Sequence, residues 1–142
     1  MNNKTRNILS VIVGVIASFV IIVLGEGISH AMNPPPSDIA MTDVEAFRGY
    51  VAAAPASLHL EILSVYAIAS LLGALIAASI ATEKKIPKAM TLGGIVMGIG
   101  TYTLVSMGHP IWVVVVSFFV FLPCAYLGGW IAFRNSQKKR NK

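Results

Sequence analysis

Histidine and carboxylate side chains have the widest chemical range in this sequence, and several are spaced so that they can meet. Glu26 and His30 stand four residues apart, which on a helix places them on one face. His59 and Glu61 open a later apolar run, and His109 sits in the turn-like Gly108-His109-Pro110. Imidazole and carboxylate together can move protons, bind a polar ligand, or coordinate zinc or iron. A metal or haem site would draw on His30, His59 or His109. No H-x-x-x-H or H-E-x-x-H spacing is present, so the metal is left unspecified and no cofactor is assigned.

What the sequence lacks narrows the chemistry further. No Asp, Glu, Lys, Arg or His occurs within 62–82, 89–108 or 111–133. Ionisable groups deep in a membrane mark proton and ion pathways, so a proton pump or midplane-coupled antiporter is disfavoured. No nucleophile elbow, phosphate loop or dinucleotide fingerprint appears, and no catalytic set can be assembled, so the chain does not read as an enzyme. Ser64, Ser70, Thr101, Thr103, Ser106 and Ser117 read as helix-packing hydroxyls.

The elements that must position these groups follow from composition. Of 142 residues, 56% are hydrophobic and only 12% charged, with a mean hydropathy of +0.74. A water-soluble domain carries about 25% charged residues. The expectation is an all-α membrane protein, a bundle of four transmembrane helices spanning about 7–32, 58–82, 89–107 and 111–133. The first run shares the outline of a signal peptide, but Glu26 and His30 crowd the would-be cleavage site, and it reads as a retained helix.

Residues 33–57 form the long loop. Pro34-Pro35-Pro36 cannot continue a helix. Thr42 and Glu45 then fit a capping box, and Val44, Phe47 and Val51 follow at helical spacing. A short amphipathic surface helix is expected over about 43–53, ended by Pro55. Pro123 should kink the fourth span, and 134–142 reads as a polar, mobile tail.

Charge sets orientation. Lys4, Arg6, Lys84, Lys85, Lys88, Arg134, Lys138, Lys139, Arg140 and Lys142 fall on one side of a four-span layout, and only Arg48 falls on the other. The positive-inside rule puts the ten-base side, with both termini, in the cytoplasm. The basic balance of +5 is therefore a topology signal rather than a nucleic-acid footprint. All three histidines and five of the six acids (Glu26, Asp38, Asp43, Glu45, Glu61) map to the outer side. At 1.5 Å per residue Glu26 lies about 27 Å along the helix from Ile8, near the outer edge of a core about 30 Å thick. Glu26, His30, His59, Glu61 and His109 are thus a candidate outer polar cluster. Interfacial anchoring is the plainer reading of the same residues.

Small residues supply a second pattern. Ala69, Gly73, Ala77 and Ala81 recur every four residues, with Ser70, Ala74 and Ala78 beside them, and Gly94 and Gly98 form a G-x-x-x-G pair. Lipid gives helices no hydrophobic reason to associate, so close backbone approach must do it. These faces pack within the bundle or against a partner. Leu72-Gly73-x-x-Ile76-Ala77 recurs as Leu127-Gly128-x-x-Ile131-Ala132, a weak echo built from common membrane residues. The single Cys124 cannot form an intrachain disulfide.

The stretch Gly25-Glu26-x-x-x-His30, Pro34-Pro35-Pro36, Asp38 and Ala54-Pro55 resembles a group of small four-helix bacterial membrane proteins described only as hypothetical. Gly73 with its small-residue rows and Leu122-Pro123-x-x-Tyr126-Leu127-Gly128 are similar to that group as well. The resemblance implies a bacterial inner-membrane location and the same four-span layout. It implies no activity. Three function classes remain: a scaffold or accessory subunit packing through Ala/Gly faces, a transporter or channel component using the outer cluster, and a metal- or haem-binding protein. The expected partners are the lipid bilayer and either a second copy or a larger membrane protein.

Overall fold

The computed structural model describes residues 2–37, 39 and 42–141. Asp38 and Lys142, both singled out above, lie outside the described residues. All regular structure among the described residues is helical: α1 (Asn3–Met32), α2 (Val44–Ala53), α3 (Ala56–Ile80), α4 (Lys85–Ser106) and α5 (Ile111–Arg140). Four of them, all but α2, are long and apolar enough to cross a membrane.

The helices run longer than the apolar runs alone suggest, for local reasons. Asn2 caps α1 by accepting from the Lys4 amide, so the helix starts in the polar leader. Pro87 does not delay α4, because it falls in the first turn, where a missing N–H is no loss. Helix α5 continues through the expected mobile tail to Arg140, with Lys138, Lys139 and Arg140 in its last turn, where cations suit the helix dipole. Thirty residues make it about 45 Å long, well beyond a 30 Å core. Asp43, not Thr42, caps α2: its carboxylate accepts from the Ala46 amide at 3.1 Å.

Helix α3 contacts α1, α4 and α5, and α4 contacts α5 and, over a shorter stretch, α1. Helices α1 and α5 do not meet, so α3 and α4 lie between them. The two small-residue rows of α3 serve different neighbours. Ala69, Gly73 and Ala77 face α1: Ser18 donates to the Ala69 carbonyl at 3.0 Å, and a Cβ on Gly14 would lie 2.8 Å from that of Ala77. Ser70, Ala74 and Ala78 are fully buried, and at least the first two face α5. Ser70 donates to the Phe121 carbonyl at 2.7 Å, and a Cβ on Gly128 would lie 3.1 Å from that of Ala74.

Helix α1 is inverted relative to a water-soluble helix. Its buried positions are Ser10, Gly14, Ser18 and Ser29, while Ile12, Ile16, Val20, Val23 and Leu24 are exposed. At the basic end, side chains cap the open C-terminal carbonyls of α3. Arg6 Nε donates to Ile80 O at 3.0 Å, and Lys85 Nζ donates to Ala78 O and Ala81 O at 2.8 Å each. Asn7 Oδ1 accepts from the Thr82 amide at 3.0 Å. Lys84 closes the tight turn in the left-handed region, with φ of 49°.

In α4 the inward positions are Ala89, Leu92, Gly93, Val96, Gly100 and Leu104. The G-x-x-x-G pair points the other way: a Cβ on Gly94 or Gly98 would meet nothing within 4 Å. This pair does not pack within the chain. Two substitutions separate the faces. A side chain on Gly73 would collide with Ser18 Oγ and press on the Gly14 carbonyl 2.8 Å away. Gly73→Leu is expected to cost about 1–3 kcal/mol or more by overpacking, and Gly94→Leu nothing comparable. Thermal unfolding in mild detergent measures both, and equal losses would contradict this assignment of faces.

Candidate functional site

The ends of α1 and α3 that carry Glu26 and Glu61 lie side by side, and α2 covers them. Helix α2 is anchored over the α4–α5 turn, where Gly108 (φ of 83°) lets the turn come within 3.0 Å of Arg48 measured from an ideal Cβ. Val51 is buried there, and Phe47 lies 6.1 Å from the His30 ring, centroid to centroid. Beneath α2 is a cavity of about 40 Å³, lined by residues of α1, α2, α3, α4 and the α4–α5 turn.

Three polar arrangements occupy this end rather than one cluster. In the first, Tyr66, 1% exposed, donates its hydroxyl to Glu26 Oε1 at 2.9 Å across the α1–α3 interface. Glu26 and His30 both line the cavity. In the second, Glu61, which does not line the cavity, accepts from Nδ2 of the lining residue Asn33 at 3.1 Å, tying the end of α1 to α3. In the third, His59 and His109 share a hydrogen between their Nδ1 atoms, 3.0 Å apart, with the Trp112 ring edge-on to His59 at 5.6 Å. His59 is 1% exposed, and its Nε2 has no partner.

The sequence-predicted residues therefore divide. Glu26, His30 and His109 line one cavity, while His59 reaches it only through His109 and Glu61 stands apart. Neither Glu26 nor Glu61 hydrogen-bonds to a histidine among the described residues. No group of three or more His, Cys, Asp or Glu able to hold a metal converges among them. Tyr66, Asn33 and Tyr50 are site residues that sequence reasoning missed. Tyr66 had one available signal: it stands five residues after Glu61 inside an apolar run, and a phenol buried there needs a hydrogen-bond partner.

No family model, curated protein or solved structure matches the chain. The site must therefore be read from its own chemistry. It offers one carboxylate, held by a phenol, together with two imidazoles, a threonine hydroxyl and aromatic walls.

His109 sits in the α4–α5 turn, and its imidazole is pushed down to about 4 from the ordinary 6.5, first by burial and then by the neighbouring His59. Two protonated rings would also set two N–H groups against each other at 3.0 Å. The sign follows from linkage. Between pH 6.5 and about 4 the unfolded chain binds more protons than the folded one, so stability rises with pH. The native state should lose stability as pH falls through that window and level off below it. Thermal unfolding of the wild type and of His109→Gln across pH 7.5 to 4 checks this, the variant being expected to lose less. Parallel profiles would refute it.

Proposed function

We propose that this chain is a four-span integral protein of a bacterial inner membrane, with both ends cytoplasmic, that works as a small accessory or scaffold subunit. The inverted polarity of α1 supports membrane residence, because Ile, Val and Leu face outward while Ser and Gly face in. Charge supports the orientation. Lys4, Lys84 and Lys88 line one recess, and Lys84, Lys85 and Arg140 another, at the end opposite the histidines. The bacterial location rests on the sequence resemblance.

One observation carries the accessory role. The small rows of α3 are used up inside the chain, whereas Gly94 and Gly98 on α4 remain open to close approach. Their spacing suits a second transmembrane helix, either of another copy or of a larger membrane protein. Ile95, Tyr102 and Val105 flank that exposed surface. The paired substitution Gly94→Leu/Gly98→Leu should leave unfolding temperature unchanged and abolish association, read by native mass spectrometry from mild detergent. A wild-type protein that is monomeric with nothing bound would contradict the role.

A second reading is supported by the cavity under α2. Glu26, His30 and His109 line one partly open space at the outer end, which fits a small-ligand site of the kind a transporter or channel component, or a sensor, would use.

A further inference from the structure

The cavity's lining defines the kind of ligand it would take. Among the described residues Glu26 is the only acid that lines it, and no Lys or Arg does. Its carboxylate has one protein hydrogen bond, from the neutral Tyr66 hydroxyl, and no cation beside it among the described residues. Glu26 is half-buried, and a cation entering this partly apolar space would give its carboxylate the opposite charge that its own surroundings lack.

The rest of the wall selects among cations. Phe47, Tyr50 and Tyr66 present aromatic rings, which attract ammonium groups through their electron-rich faces. Leu58, Ile62 and Met107 present apolar surface. A bare metal ion needs a shell of oxygens that such walls do not supply. An alkylammonium needs the opposite: a carboxylate and a few acceptors for its N–H groups, with apolar wall for its carbon. His109 meets this requirement in the tautomer that donates Nδ1–H to His59, because the ring is uncharged at neutral pH and its Nε2 is then an acceptor. Size is a further limit. A water needs about 10–15 Å³ of such space, so about 40 Å³ admits roughly three small groups.

Resting on the reading of this cavity as a ligand site, the geometry points to a primary ammonium group of about methylammonium size as its ligand, held by Glu26 and enclosed by Phe47, Tyr50 and Tyr66. Free amines and the headgroup of phosphatidylethanolamine carry the same chemistry, and Glu26 lies close enough to the outer surface for either source.

The test is thermal unfolding of the full-length protein in detergent, with methylammonium chloride against equal concentrations of sodium chloride, sodium acetate and formamide. Methylammonium should raise the unfolding temperature by about 3 °C or more at saturation. Glu26→Gln, which keeps an acceptor for Tyr66, should abolish that rise. Tyr66→Phe, which keeps the carboxylate, should retain it. Adding phosphatidylethanolamine then identifies the source. If it removes the methylammonium effect where phosphatidylglycerol does not, the lipid headgroup is the occupant. If it does not, a free amine is, and either result upholds the ammonium assignment. Stabilisation by formamide or acetate alone, dependent on Glu26, would overturn the ammonium assignment and leave the ligand site standing. No ligand-specific shift in any arm would overturn both.

Discussion

At Gly73 the backbones of α1 and α3 come so close that Ser18 reaches across to the Ala69 carbonyl, and on the other side of α3 Ser70 reaches the Phe121 carbonyl of α5 in the same way. Hydrogen bonds between helices in lipid average only about 0.6 kcal/mol. Their value here is in fixing register, while the contact surface opened by Gly14, Gly73 and Gly128 supplies the attraction. Because α3 carries two small rows about 100° apart, it can receive two neighbours at short range. That single property sets the order of the helices, with α1 and α5 kept apart by α3 and α4.

The histidine-bearing end is a consequence of that register. Once Ser18 is locked against Ala69, Glu26 arrives two turns further along α1 opposite Tyr66, and Asn33 arrives opposite Glu61. The cavity under α2 takes Glu26, Ser29 and His30 from α1, Leu58, Ile62 and Tyr66 from α3, and rings from the covering helix. The opposite end is held differently. There Arg6 and Lys85 are spent on the carbonyls that end α3.

Much of this was legible in the sequence, and the failures have specific causes. The four long helices, the Pro-rich break and the short helix α2 could be read because apolar length and proline leave few alternatives. Helix ends were misplaced at Pro87 and beyond Arg134, where capping and charge rather than hydropathy decide. The candidate residues gather at one end of the bundle, but their partners could not be read: Glu61 binds Asn33 and His59 binds His109, since pairing depends on rotation about each helix to within a few tens of degrees. The same uncertainty hid the glycines of α4. Gly93 and Gly94 are adjacent, yet the 100° between them puts one against Ala125 and leaves the other open. The inward stripe Ser10, Gly14 and Ser18 carried a four-residue spacing that was available to be read, and the surrounding Ile and Val masked it.

That rotation of α4 about its axis is the point on which both the internal packing and the free outer face depend. Paired cysteines test it directly in a chain whose Cys124 has been replaced by alanine. An ideal Cβ built on Gly93 would lie 2.5 Å from that of Ala125, so a shift of about 1 Å brings cysteines at 93 and 125 to disulfide spacing; they are expected to cross-link within one chain under mild oxidation, and cysteines at 94 and 125 are not. Efficient intrachain linkage from 94, with none from 93, would contradict the account.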